Sequence, residues 1–151
     1  MLMRIIDYRP PKIAQVFLLV AALLHWGTPL QHIHVFSDPV LAAILAITSF
    51  SVMMWAWFLF KQFDVAICPR SETNKLISTG IYKLSRNPMY LGVVGMLLAV
   101  AIFAGTFPFY LATAAYFIII NFVFCPYEED KLSETFTEDY LCYKNKVRRW
   151  L

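Results

Sequence analysis

The stretch KLISTGIYKLSRNPMYLG, residues 75–92, decides how this chain is read. It is polar and basic, and long apolar runs lie on both sides of it. Thr79-Gly80 marks a turn within it. Arg86-Asn87-Pro88-Met89-Tyr90 stands where the third apolar run begins. Asn is a residue of helix N-caps and Pro of the first helical position, so a helix is expected to open here. The unpaired amides of that helix start, with Arg86 beside them, make a site for an anionic group. With an apolar run following at once, the site would lie at a membrane surface.

Outward from this stretch, the apolar runs are long enough to define the fold class. Of 151 residues, 60% are hydrophobic and only 15% are charged, against about 45–50% and about 25% in a soluble domain. We expect an all-α integral membrane protein with about four transmembrane helices, at about 13–28, 39–60, 88–104 and 109–125. One membrane-embedded domain, residues 1–151, would hold them all. The second span is long enough for a hydrocarbon core of about 30 Å, and Trp55 and Trp57 near its end suit an interfacial belt. Gly105-Thr106-Phe107-Pro108 reads as a tight turn joining spans three and four into a hairpin. Pro10-Pro11 reads as a turn pair ahead of span one. His25 reads as an interfacial residue beside Trp26. Asn121, polar within span four, should face protein or a cavity rather than lipid.

After span four, Leu132, Phe136, Tyr140, Tyr143 and Val147 recur at helical spacing and form one apolar face. Lys144, Lys146 and Arg148 fall on the other. This suits an amphipathic helix lying in the membrane surface or covering the polar segment. All 13 Lys and Arg fall before span one, between spans two and three, or after span four. The positive-inside rule then places both termini and the polar segments in the cytoplasm.

Several function classes drop out. The net charge of +3 has no basic stripe, so nucleic acid is not an expected partner. Cys68, Cys125 and Cys142 are scattered and odd in number, and no CxxC occurs, so neither a disulfide framework nor a metal site is expected. His32 and His34 lack a third ligand nearby and read as a solvated loop.

Glu128-Glu129-Asp130 follows span four directly. If the span-four helix continues through them, the acids sit toward its C-terminal end and want a cationic partner. If Pro126 opens a new helix, they occupy a favourable first turn. Either way an anion site at Asn87-Pro88 and a carboxylate pair at Glu128-Glu129 lie at the same ends of neighbouring helices. Such a pair suits a zwitterion that carries a further positive centre, as S-adenosylmethionine does.

Gly80-Ile81-Tyr82, the Arg86 to Gly92 run, Glu128-Glu129, Phe136-x-x-x-Tyr140-x-x-Tyr143 and Val147-Arg148-Arg149-Trp150 together resemble the isoprenylcysteine carboxyl methyltransferase family. The closer resemblance is to its small bacterial members, relatives of the phospholipid methyltransferases, and it covers residues 60–151. It implies a membrane methyltransferase that uses S-adenosylmethionine and acts on a lipophilic or lipid-borne acceptor, with no metal. Carried over by position, it implies cofactor contacts at Leu76, Ile77, Tyr82, Asn87, Pro88, Met89, Tyr90 and Glu128, with Glu129 as the adjacent acid. The cofactor-site segments would be 61–92 and 126–151. No catalytic residue is singled out.

Two positions depart from the eukaryotic members of that family. Asn87 stands where they have His, and Asn cannot titrate near neutral pH. Phe124 stands where they have a substrate-binding Arg. The methyl donor carries its own activation, so alignment of donor and nucleophile is the main demand on the protein. A carboxylate acceptor needs no base, whereas an ammonium must first be deprotonated; with no base evident, a carboxylate or a thiol-like acceptor is favoured, and carboxyl O-methylation is the expectation. Phospholipid-type N-methylation, an NADPH-dependent membrane reductase on a related scaffold, and a non-enzymatic helical bundle are the alternatives.

Overall fold

The computed structural model describes residues 10–27, 34–63 and 75–151. The expectations that rest on residues 1–9, 28–33 and 64–74, those for His32 and Cys68 among them, lie outside the described residues. Among the described residues five helices carry the fold: α1 (Pro10–Gly27), α2 (Pro39–Gln62), α3 (Pro88–Ala104), α4 (Phe107–Ile119) and α5 (Cys125–Lys146). A 3-10 turn, Gly80–Lys83, precedes α3, and a π-turn, Ile120–Phe124, joins α4 to α5. Helix α3 packs on α2 and on α4, and α4 packs on α1.

The helix starts follow capping chemistry. Asp38 Oδ1 accepts from the amides of Val40 and Leu41 at 2.9 and 3.0 Å, ahead of Pro39 at the first position of α2. Pro10 also lies inside its helix, so the Pro10-Pro11 pair opens α1 rather than preceding it. A proline at a helix start gives up only an amide that has no helical partner. Gly105 ends α3 with a φ of 67°, the left-handed conformation of a helix C-cap. The expected hairpin turn follows, with Thr106 before α4 and Pro108 in its first turn. The 34–38 segment runs along this turn: the amide of Val35 donates to Gly105 O at 2.9 Å, and Tyr110 Oη donates to Phe36 O at 2.5 Å. His25 Nδ1 lies 3.1 Å from Thr106 Oγ1, and its ring stands edge-on to Trp26.

Helices α2 and α3 approach closely because their contact is built from small residues, as in membrane helix pairs. A Cβ on Gly95 would fall 2.1 Å from Ser49 Oγ, and one on Gly92 would fall 2.7 Å from Met53 Cβ and 2.9 Å from Ser49 O. The hydroxyls of Thr48 and Ser51 bond back to carbonyls of their own helix. Both hydroxyls lie on the exposed side of α2, where hydrocarbon offers no other partner.

The outer faces are apolar. Ile47, Phe103 and Phe122 are 68%, 68% and 70% exposed, which hydrocarbon accepts and water does not. Among the described residues two helices are long and apolar enough to cross a membrane, α2 and the continuous run Phe107–Lys146, while α3 is a shorter apolar helix. The protein is all-α and membrane-associated.

Of the two readings of the acids that follow span four, the structure has the continuing helix. The helix of the fourth expected span does not stop near residue 125 but passes Pro126 and runs to Lys146, with a kink at Thr137. The π-turn permits this passage. The amide of Cys125 reaches back five residues to Ile120 O. In that register the carbonyl of Asn121 would be answered by residue 126, a proline with no N–H to give. Beyond the kink, Tyr140 and Tyr143 are buried and Val147 half-buried, while Lys144, Lys146 and Arg148 are exposed. The apolar face read from the sequence therefore points inward.

Candidate functional site

The first turn of α3, the 3-10 turn and the first turns of α5 enclose a cavity of about 200 Å³. The chain can reach it because Gly80, with a φ of 59°, turns the segment under α2; a Cβ there would meet Leu59 at 2.8 Å. Ile77, Ile81 and Tyr82 are buried against Ala56 and Leu59, with Phe60 and Met89 beside them. Tyr143 Oη donates to Tyr82 O at 2.6 Å, so α5 clamps this turn from outside.

Glu128 and Tyr90 form a hydrogen-bonded pair in the wall of this cavity, which Lys75, Arg86 and Asn87 also line. Tyr90 Oη donates to Glu128 Oε1 at 2.5 Å, joining α3 to α5. Burial pushes the Glu128 carboxyl up to about 7, against the pull of the Tyr90 hydrogen bond and the charge of Lys131. A group so placed gains an anion's stability only when a cation joins it. Burial likewise raises Tyr82 and Tyr143 above the ordinary phenol value, so neither ionises near neutral pH.

Glu129, one residue on, is differently employed. It is 4% exposed. Arg149 grips it through two bonds, Nε to Oε1 at 2.7 Å and Nη2 to Oε2 at 3.1 Å. Arg86 Nη2 and Lys144 Nζ each lie 3.2 Å from it. Burial works to raise this carboxyl, but the Arg149 hydrogen bonds and the charges of Arg86 and Arg149 outweigh it and hold it below its ordinary value. The cationic partner that a continuing helix demands is thus present three times over.

The C-terminal residues complete the frame. Arg149 Nη1 donates to Asn121 O at 3.2 Å, taking the carbonyl that Pro126 leaves unanswered. Trp150 Nε1 donates to Asn121 Oδ1 at 3.0 Å, which satisfies the polar residue of span four. The carbonyl of Arg149 accepts from Ser85 Oγ at 3.1 Å and Asn87 Nδ2 at 3.5 Å, and the amide of Arg86 donates to Arg148 O at 3.0 Å. Asn87 occupies the N-cap position of α3, but its side chain makes no capping bond; the C-terminal strap holds it instead. Arg86 Nε and Nη1 are buried without a hydrogen bond of good geometry among the described residues, and Tyr140 interacts with this guanidinium.

Of the residues expected from the sequence, Leu76, Ile77, Tyr82, Asn87, Pro88, Met89, Tyr90 and Glu128 all line the cavity, whereas Glu129 does not. Glu129 faces the strap and serves as an anchor. The sequence reading passed over the interior role of Arg149. Its signal was available as a polar Asn121 five residues before a proline in an apolar helix, which creates one carbonyl in need of a donor.

No solved structure matches this chain. An uncharacterized protein of Haemophilus influenzae is 36% identical over 63 residues, which is 42% of this chain and the whole of that protein. The family model of the phospholipid methyltransferases matches residues 37–139, covering α2 through most of α5, and this chain belongs to that family.

Proposed function

We propose that the protein is an S-adenosylmethionine-dependent methyltransferase acting at the membrane on a lipid-borne acceptor. The carrying observation is Glu128: a carboxyl raised to about 7 in an apolar cavity, hydrogen-bonded to Tyr90, beside the amide end of a membrane helix. The residues fit such a cofactor. Apolar walls at Leu76, Ile77 and Met89 suit an adenosyl group, Glu128 suits a positive centre or ribose hydroxyls, and the Asn87-Pro88 helix start suits a carboxylate. When bound, S-adenosylmethionine supplies a methyl group already activated by its positive sulfur. The protein's part is to hold the donor, orient it toward the lipid side and exclude water.

Carboxyl O-methylation is the acceptor chemistry that the cavity suits best. A carboxylate arrives as a nucleophile, while an ammonium needs a base. If Glu128 faces the donor, the remaining titratable groups lining the cavity are Lys75, Arg86 and tyrosines, and none is a ready base. Phe124 is fully buried in the helical core, so recognition of a prenylcysteine carboxylate by an arginine at that position does not apply. The second reading, N-methylation of a phospholipid amine, is favoured by membership of the phospholipid methyltransferase family.

Titration of the purified, monodisperse protein with S-adenosylmethionine and with NADPH tests the reading. Saturable binding of the first, lost in Glu128→Ala and weakened in Tyr90→Phe, is the expected result. Binding of NADPH alone would turn the assignment to a reductase, and binding of neither would return it to a non-enzymatic bundle. Methyl transfer to phosphatidylethanolamine against farnesylcysteine then separates the two acceptor chemistries.

A further inference from the structure

We propose that residues 138–150 form a gate over the cavity, hinged at Thr137 and latched by Tyr143 on the 3-10 turn and by Trp150 on Asn121, which swings out to admit a ligand. The cavity of about 200 Å³ is smaller than the roughly 300–1,000 Å³ of a pocket for a drug-sized molecule. A nucleoside-bearing ligand therefore enters only if a wall gives way. That need rests on the methyltransferase reading; the hinge and its latches do not. Most walls are fixed. Gly92 and Gly95 of α3 lie tight against Ser49 and Met53 of α2, and Ile77, Ile81 and Tyr82 are buried against Ala56 and Leu59. The wall beyond Thr137 is attached differently. Among the described residues, α5 has no extended contact with α1, α2, α3 or α4. Tyr143 lines the cavity, and its Oη donates to Tyr82 O at 2.6 Å. Lys144 and Arg149 reach Glu129, and Trp150 Nε1 donates to Asn121 Oδ1 at 3.0 Å. Ser85 Oγ and the amide of Arg86 donate to the carbonyls of Arg149 and Arg148. Apolar anchorage comes from Tyr140, Tyr143 and the Trp150 ring, whose centroid lies 5.2 Å from that of Phe117. Hydrogen bonds of this kind exchange with water at small net cost, whereas interdigitated helices do not part without opening voids. Thr137 supplies the hinge. Its φ of 41° and ψ of −110° interrupt the helix, and among the described residues it is the only non-glycine with positive φ. A β-branched residue held there is strained. The strain persists because the latches fix the direction of the segment beyond it. With the latches released, Thr137 relaxes to helical angles and α5 straightens, which carries Tyr143 off the 3-10 turn. Strain favours the open form and the latches the closed one, so the segment has two discrete positions.

Spin-label distances in the full chain test the gate without any ligand. One label goes on Ile47→Cys of α2 and one on Asn145→Cys beyond the hinge, both exposed positions. The background carries Cys68→Ser and Cys142→Ser, and Cys125 is buried. The closed distance should dominate, with a second, discrete distance as the minor form. In Tyr143→Phe/Trp150→Phe the minor form should grow about tenfold relative to the closed one. Adding Thr137→Gly, which accepts the bent backbone without strain, should shrink it again about tenfold. Trp150→Phe alone gives the same comparison with a smaller growth should the double variant be unstable. A single distance that none of the variants shifts overturns the gate. A broad, featureless spread in the latch variants overturns it too, because the segment then melts rather than swings. S-adenosylmethionine, added last, should shift the population toward the closed form. No shift on its addition counts against the proposed cofactor, while the ligand-free distances decide the gate by themselves.

Discussion

At the scale of single residues, Glu128 and Glu129 show how neighbours on one helix acquire opposite properties. Glu129 meets three cations and is held as a carboxylate; Glu128 meets a tyrosine in an apolar cavity and is raised to about 7. The sign of the consequence follows from linkage. A folded-state value above the unfolded one means that the folded protein holds the proton more tightly. The contribution of Glu128 to stability is therefore full below about 4.5 and is lost as pH rises through about 7. A cationic ligand acts oppositely, since it favours the carboxylate. S-adenosylmethionine affinity should rise about tenfold between roughly pH 6 and pH 8 in the wild type and stay flat in Glu128→Gln. Tyr90→Phe removes the hydrogen bond that favours the carboxylate, so the midpoint of that rise should move upward and the affinity at pH 7 should fall. Calorimetric titration across this range reads both variants. A flat wild-type profile would mean that Glu128 does not face the ligand's positive centre.

At the scale of elements, the sequence disclosed what periodicity and capping can disclose. The bounds of α3, the turn at Gly105, the hairpin and the apolar face of α5 were all legible, because each depends on neighbours along the chain. The passage of the fourth helix through Pro126 stood only as one of two readings, because deciding it needs a π-turn and a donor from residue 149 to answer one carbonyl. The division of labour between Glu128 and Glu129 was hidden for the same reason: adjacent acids are alike until tertiary partners distinguish them. The contact of α2 with α3 also lay outside a one-dimensional reading, and it yields a test. Gly95→Ala sets a methyl 2.1 Å from Ser49 Oγ, so it should destabilise by about 1–3 kcal/mol, as overpacking does. Adding Ser49→Gly removes the opposing atoms and should restore most of the loss. Gly92→Ala meets the backbone oxygen of Ser49 and Cβ of Met53, so Ser49→Gly should rescue it far less. Thermal unfolding in detergent of the two single variants and the two double variants measures this. Equal rescue of both would show that the contact adjusts by moving the helices apart rather than by side-chain fit.

At the scale of the whole molecule, the cavity is assembled where helix ends meet a polar strap, at one end of an otherwise apolar bundle. Arg86, Lys144 and Arg149 all converge on Glu129 there, so the basic residues that bias orientation are also those that frame the site. The proposed function needs both roles on the same side of the membrane, because S-adenosylmethionine is water-soluble and a lipid acceptor would approach laterally. We infer a cytoplasmic orientation for this end from the placement of Lys and Arg. Cys142 is exposed and Cys125 buried, both on α5. In a variant carrying Cys68→Ser, a membrane-impermeant maleimide should therefore leave Cys142 unmodified in sealed right-side-out vesicles and modify it in inverted ones. Cys125 should stay protected in both until the protein is unfolded. Modification of Cys142 from the outer face would place the strap and cavity away from the cytoplasm. It would break the positive-inside assignment and remove the cofactor's route to Glu128, while leaving the fold itself untouched.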